Sequence, residues 1–499
     1  MNKKLVSSDK KNFVIVASKQ MTRDIEIFFC ESLKKNKKFN VIFHLPNNNN
    51  VDKKNYLKKY PLSFDEIVQE PNEFDSLNDL INKDYLYKKL NEFERKLNTS
   101  IYRIFFTNRI IGSGFSASGG FNHPSTKLIE NTKHFGLMKI ALAKLVFWEK
   151  LFLKYNFKVA INLPDYAHIL ATYYGIASER LQGARFGNTQ FWSSDIHFQP
   201  DNLKKSFKLF KKGFAPVVIE NPYTAHVTFR KKHIENFSFY KTFKDSTSNI
   251  SRIIYGKIRG YKKSINQHSW SVFAGYWRNR NHYLQLIKKA DVNLKTLSEY
   301  KYIFFPLQTE PEISVSGVAD DFFFQLSAIN LIARDLPSDY RIIVKEHLYA
   351  IGRRPTNFYD QIKSLKNVLM ADPRDYGLEY VKKSVAVAGL TGTSSWEAAV
   401  MGIPVISFSK NNAYNFLDHV YYIKETDYTK KLLPKILNKK WPTKKSLEDG
   451  AKFYYAYLQN SFDIGKHHEF ISWKESNKKK KLIKKTALLL IRELFNKKI

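Results

Sequence analysis

Short apolar runs of strand length alternate with helix-spaced segments twice along this chain, and that alternation leaves few folds open. In the first half, residues 13–17 (FVIVA) and 39–45 read as strands around a helical stretch at 22–35. Residues 101–107 (IYRIFFT) read as a further strand. A helix at 136–155, a strand at 157–163 (FKVAINL) and a helix at 165–174 follow. Residues 46–100 are polar and rich in Asn and Lys, as expected of loops and helices decorating this first unit. The second half repeats the grammar with strands at 302–307, 341–347, 367–370, 384–388 and 403–408. Helices at 320–336, 357–365, 377–383 and 394–401 separate them. Parallel strands need crossover helices, so strand–helix alternation of this kind specifies a mostly parallel, doubly wound α/β sheet.

With 499 residues the chain exceeds what one hydrophobic core organises, so two such units are expected. The fold class is therefore α/β, with two Rossmann-like domains facing a cleft, the GT-B arrangement. The expected partition is 1–195 as an N-terminal unit, 196–300 as a basic, aromatic-rich connecting region, 301–472 as a C-terminal unit and 473–499 as a basic amphipathic tail. A hydrophobic content of 43% excludes a disordered chain. The single cysteine, Cys30, excludes an internal disulfide framework and fits a reducing compartment. With no signal-like apolar segment and no apolar run of spanning length, the expected location is cytoplasmic.

The formal net charge is +36, and it is unevenly spread: residues 201–300 carry 20 Lys/Arg against 6 Asp/Glu, and residues 473–499 carry 10 against 2. Part of this reflects a Lys-rich composition throughout. The tail, KKKKLIKK followed by TALLLIRELF, has apolar Leu482, Ile483, Leu489, Leu490 and Leu494 at helical spacing. It is expected either to lie on an anionic membrane surface, making the protein peripheral at the inner face, or to pack on the core. The Arg and aromatic mixture at 270–283 suits single-stranded nucleic acid, but no RNP1, KH or zinc-finger pattern accompanies it, which argues against that partner.

Ligands of open α/β sheets bind beyond the carboxyl ends of the strands, and three polar clusters of the second half fall there. Glu310 and Glu312 follow the strand at 302–307. Lys345 and His347 end the next strand, with Arg353 shortly after. Gly392, Thr393, Ser394, Ser395 and Glu397 lie between a strand and a helix. In the third cluster a glycine turn precedes a helix whose free N–H groups and positive dipole end suit an anion. Glu397, read as a first-turn residue, fits either a ribose diol or a capping box with the Ser/Thr residues. His347 as an imidazolium, with Lys345 and Arg353, suits a phosphate. Glu310 fits a base, a ribose contact or a salt bridge equally well. In the first half, Asp165 just past the strand at 157–163 and Glu179 fit a helix cap or a surface charge. No Asp-x-Asp, HExxH or His/Cys ligand spacing calls for a metal, and no cofactor is expected.

The string FFPLQTEPE, then VKEH with Gly352-x-Arg354 and Phe358-Tyr359, then TGTSSWEA followed by GIPVISF, resembles the bacterial capsule polysaccharide biosynthesis family. The likeness is dense over residues 301–410 and fainter at 162–194. Members are surface-carbohydrate glycosyltransferases of GT-B fold, and some relatives transfer Kdo, a 3-deoxy-octulosonic acid, from a CMP donor. The resemblance implies a metal-independent transferase that moves a sugar from a nucleotide-activated donor to a glycan or lipid-linked glycan. It also implies that His347 and the Ser394-Ser395 pair grip the nucleotide, and that the first half supplies a catalytic carboxylate, with Asp165 preferred and Glu179 second. Two departures stand out: the family's His-Pro is His347-Leu348 here, and its Gln-Pro is Glu310-Pro311. They keep open a catalytically altered scaffold, and a nucleotide-sugar epimerase or CDP-polyol phosphotransferase on the same fold.

Overall fold

The computed structural model describes residues 12–496 except 19–22, 38, 46–52, 72, 109–110, 112–132, 187–188, 198, 212, 221–223, 259–269, 310–316, 323, 356, 427 and 465–476. The chain divides into two compact units. Unit 1 comprises Met1–Phe105, Thr132–Asp201 and Asn460–Ile499; unit 2 comprises Phe106–Asn131 and Asn202–Gln459.

Unit 1 begins with β1 (Phe13–Ala17), α1 (Arg23–Lys37), β2 (Asn40–Leu45) and β3 (Glu66–Gln69). It continues through α2 (His134–Lys154), β4 (Phe157–Ile161), α3 (Asp165–Tyr173), β5 (Ala177–Gly183) and β6 (Thr189–Ser193). β1 pairs in parallel with both β2 and β4, β3 joins β2, and β5 joins β4, all in parallel; β6 runs antiparallel to β5. The chain thus builds outward from β1 in one direction, then returns to its other side, creating a switch point between β1 and β4.

In unit 2, α4 (Phe239–Ile258) packs along α5 (Trp270–Lys289). There follow β7 (Lys301–Pro306), α6 (Gln325–Asp335), β8 (Tyr340–Lys345), β9 (Val368–Met370), β10 (Ala386–Gly389), α7 (Thr393–Val400), β11 (Val405–Ser407), β12 (Val420–Tyr422) and α8 (Lys444–Gln459). The sheet order β12-β11-β10-β7-β8-β9 is parallel throughout and puts its switch point between β7 and β10. Continuous apolar runs such as Ile303–Phe305 and Ile342–Val344 are fully buried, as strands covered on both faces require. The chain then supplies β13 (Phe462–Asp463), antiparallel to β6, and α9 (Asn477–Asn496), both in unit 1.

Two expectations change. Residues 101–107 are not a strand. Ser100 caps a helical turn at Ile101–Ile104 by accepting from Arg103 N–H at 3.2 Å, and Ile101 and Ile104 bury at a spacing of three. The region at 196–300 is not a separate connector, because Phe237, Tyr283 and Leu286 belong to the core of unit 2. For the tail the choice between its two expected placements is decided: it packs on the core. Ile483, Ala487, Leu490, Ile491 and Leu494 pack with Ile25, Phe29 and Leu33 of α1 in the core of unit 1, and Trp192 Nε1–H donates to Leu490 O at 3.2 Å. The apolar face assigned to a membrane is occupied by the protein itself. Among the described residues no helix is long and apolar enough to cross a membrane.

Candidate functional site

The polar clusters that follow the strands of unit 2 lie around its switch point, between β7 and β10. Gln308 follows β7 and Thr391 follows β10. Thr391 Oγ1–H donates to Gln308 Oε1 at 2.6 Å, and Gln308 Nε2–H donates to Thr391 O. The Gln308 backbone is fixed in turn by α6: its N–H donates to Gln325 Oε1 at 2.7 Å and its carbonyl accepts from Gln325 Nε2–H at 3.0 Å. A buried amide network with every partner in place makes a stiff floor for the loop above it.

That loop turns through Gly392, whose φ of 101° only glycine adopts readily, and a Cβ there would meet Gln308 Nε2 at 3.0 Å. Gly392 is the N-cap of α7 and supplies no side-chain hydrogen bond, so Thr393, Ser394 and Ser395 occupy the first helical turn with their N–H groups pointing out of the helix end. Ser395 is fully buried, and its Oγ has no hydrogen-bond partner among the described residues. Glu397 stands in the second turn, not the first, so no capping box forms with Gly392 as cap.

On the other side of β7, Thr309 Oγ1 lies 3.2 Å from His347 Nδ1, which also accepts from Tyr349 N–H at 3.3 Å. With Nδ1 accepting, the ring proton sits on Nε2. Crowding by surrounding protein pushes the His347 pKa down to about 4; Glu346 opposes the shift, while Lys345 and Arg354 add to it. The residue is nonetheless exposed, which moderates that crowding. The lowered value favours a neutral Nε2–H donor over the imidazolium expected from sequence.

The expected trio of cations does not converge. Lys345 is buried and donates to Pro373 O at 3.3 Å; burial and Arg230 lower its pKa to about 7. Arg353 lies half-buried beyond the turn at Leu348–Ala350, where its charge lowers His233. The guanidinium that reaches the strand ends is that of its neighbour, Arg354. Its Nε–H and Nη2–H donate to the two Glu346 oxygens at 3.0 and 2.9 Å, and Nη2–H also reaches Gln308 O at 2.5 Å. Tyr359 O–H donates to Glu346 Oε2 at 2.7 Å. Glu346, Arg354, Gln308 and Thr391 stand inside the motifs read from sequence but were given no role there, although the Glu-His and Gln-Thr dipeptides following two adjacent strands were a legible signal. Glu310 and Glu312 lie outside the described residues.

In unit 1, Asp165 is 5% exposed at the start of α3, and its Oδ1 lies 2.5 Å from Arg180 Nη1. The carboxylate is a buried ion-pair partner rather than an open base. Glu179 is also buried, on β5. A third buried acid, Glu70, accepts from Lys144 Nζ at 2.7 Å, Trp148 Nε1 at 2.6 Å and Tyr166 O–H at 2.6 Å. A cavity of about 90 Å³ lies at the switch point of this unit, lined among others by Val16, Glu26, Ile161, Asn162, Trp192 and Leu490. Asn162 holds a left-handed φ of 58° while its Oδ1 accepts from Leu181 N–H at 2.9 Å.

No protein-family model and no curated protein matches the chain. Solved structures similar to it include a glycosyltransferase from Rickettsia africae, at 9% identity over 98% of this chain and 99% of that one, with a TM-score of 0.30. A KpsC β-Kdo 2,7 transferase from Thermosulfurimonas dismutans is 13% identical over 61% of this chain and 86% of its own, with a TM-score of 0.28. The UDP-GlcNAc 2-epimerase of Methanocaldococcus jannaschii is 15% identical over 90% and 99%, with a TM-score of 0.25. Overlaps of this extent leave the function to be argued from the site itself.

Proposed function

We propose that the protein is a glycosyltransferase that takes a sugar from a nucleotide-activated donor and adds it to a surface or capsular glycan. The observation that carries this reading is the first turn of α7. Its side-chain-free cap leaves the Thr393, Ser394 and Ser395 N–H groups open; the Thr391–Gln308 pair braces that loop, and the next residue of the same strand end, Thr309, meets His347 on the other side of β7. A helix N-terminus with adjacent neutral donors stabilises a phosphate oxygen without burying a mobile cation. In transfer, the same donors stabilise the charge that develops on the departing nucleotide phosphate. The ordered motifs at 301–410, which resemble those of capsule polysaccharide transferases, supply the sugar-transfer chemistry in this reading. A CMP-linked donor is the first candidate, and unit 1 carries the acceptor side. Arg354 and Glu346 hold the strand ends in register.

The test is a thermal-shift series with CMP, CDP, UDP, GDP and ADP on wild type and His347→Ala. A ligand that binds the native state alone raises its melting temperature by mass action. Selective stabilisation by CMP, lost in His347→Ala, is the expected result. Selective stabilisation by UDP or GDP discards the CMP donor and keeps the nucleotide site. No shift with any nucleotide at millimolar concentration overturns the transferase reading. With a nucleotide sugar supplied, transfer to added glycan rather than isomerisation of the donor separates this enzyme from an epimerase.

A further inference from the structure

Helix α4 is amphipathic the wrong way round. Its buried positions, Thr242, Ser246, Asn249 and Ile253, recur at spacings of four, three and four, and three of the four are polar. The opposite face carries Tyr240, Phe243, Ile254 and Ile258, which are 72%, 52%, 52% and 78% exposed. Thr247 and Ser251 continue this stripe between Phe243 and Ile254, and both hydroxyls are already used within the helix. Thr247 Oγ1–H donates to Phe243 O at 3.0 Å, and Ser251 Oγ–H donates to Thr247 O at 3.1 Å. The whole outward stripe therefore presents large apolar side chains and hydroxyls that need no water. A soluble surface helix does the reverse.

Charge selects the occupant. Lys244 and Arg252 are exposed on one shoulder of the stripe, and the surrounding residues 201–300 carry 20 Lys/Arg against 6 Asp/Glu. A second copy of this chain would bring the same positive field against it. An anionic bilayer offers acyl chains for the stripe and phosphates for the shoulder. The tail helix α9, the sequence's first candidate for that role, has spent its apolar face on the core of unit 1.

We propose that α4 docks the protein in the plane of an anionic membrane interface, with Tyr240, Phe243, Ile254 and Ile258 at the acyl boundary and Lys244 and Arg252 among the headgroups. This proposal does not rest on the nucleotide reading. It is tested by flotation of the full chain with phosphatidylcholine vesicles with and without phosphatidylglycerol. Three variants accompany wild type: Phe243→Ser/Ile254→Ser, Lys244→Glu/Arg252→Glu, and the control Leu62→Ser, whose side chain is also exposed, in unit 1. The expected result is binding only with phosphatidylglycerol, at least tenfold weaker in both α4 variants and unchanged in the control. Melting temperatures should match wild type, since every replaced side chain is exposed. Absence of wild-type binding to phosphatidylglycerol vesicles, or equal loss in the control, overturns the proposal. It also fails if the α4 changes leave vesicle binding intact and instead alter the oligomeric state by light scattering, which would make the stripe a self-association face.

Discussion

Gln308 and Thr391 close a two-way hydrogen-bonded pair across the switch point of unit 2, the hydroxyl donating to the amide oxygen at 2.6 Å and the amide donating to the Thr391 carbonyl. β7 and β10 are neighbours in the sheet, so this pair decides where the loop into α7 begins. Gln308→Ala leaves a buried hydroxyl and carbonyl without partners, which costs about 1–3 kcal/mol. The expected outcome is a lower melting temperature together with weaker nucleotide binding. Calorimetric unfolding and titration of the same variant check both. A variant that loses stability but binds nucleotide as wild type does would show that the pair braces the sheet and not the site.

The Glu346–Arg354 pair is the most strongly buried ion pair of the site, with side chains 1% and 2% exposed. Burial works to raise the Glu346 pKa, but the Arg354 charge and the hydrogen bonds from Arg354, Tyr359 and His347 N–H outweigh it and hold the carboxyl below its ordinary value. The stability this contributes is present above the ordinary carboxylate range and is lost as pH falls through the lowered value. Glu346→Gln keeps the shape but leaves the guanidinium buried and uncompensated, a loss of about 3–5 kcal/mol. Tyr359→Phe removes one donor to that carboxylate and costs about 1 kcal/mol. Denaturant unfolding should rank the two in that order; equal losses would mean that the buried charge is neutralised by some other route.

The sheet grammar was legible because it lies in local composition: the buried cores of strands such as Ile303–Phe305 and Ile342–Val344 read as apolar runs. The elements missed were those whose signal is not local. β3 (EIVQ) and β5 (ASERLQG) carry charged residues that their neighbours neutralise, as Asp165 of α3 does for Arg180 of β5. Residues 101–104 are apolar enough for a strand, and only Ser100 at the cap turns them into a helix. In the site, position was legible and protonation was not. His347 was found from its place at a strand end, but its neutral state depends on crowding and on the cations of Lys345 and Arg354, which no sequence spacing reveals. Arg353 and Arg354 are adjacent and chemically identical in sequence, and only the backbone turn determines which one reaches Glu346.

Three histidines, His44, His168 and His347, are each pushed down to about 4, in every case first by desolvation. The unfolded chain takes up these protons near pH 6.5 while the folded chain refuses them until about pH 4. Stability is therefore unaffected by these groups above pH 6.5 and falls as pH drops between those values. In the free protein, the His347 ring resonances should not titrate between pH 5.5 and 8, and Nδ1 should show the shift of an unprotonated acceptor. Heteronuclear NMR of the imidazole nitrogens reads both. A midpoint near 6.5 would restore the imidazolium and with it a purely ionic grip on phosphate.

Asp165 and Arg180 separate a catalytic role from a structural one in unit 1. Both side chains are almost fully buried, at 4% and 6%, with 2.5 Å between Oδ1 and Nη1. Removing either charge strands the other in a low-dielectric interior, at a cost of about 3–5 kcal/mol. Asp165→Asn and Arg180→Met should each lower the melting temperature substantially, and the double variant should recover much of the loss, because two uncharged groups replace two paired ones. Nucleotide binding, assigned to unit 2, should survive in every variant that folds. Measured transfer rates per folded molecule should then be similar across the series. An Asp165→Asn protein that melts with wild type but no longer transfers sugar would give the carboxylate a direct part in the chemistry, and Arg180 would become the residue that tunes it.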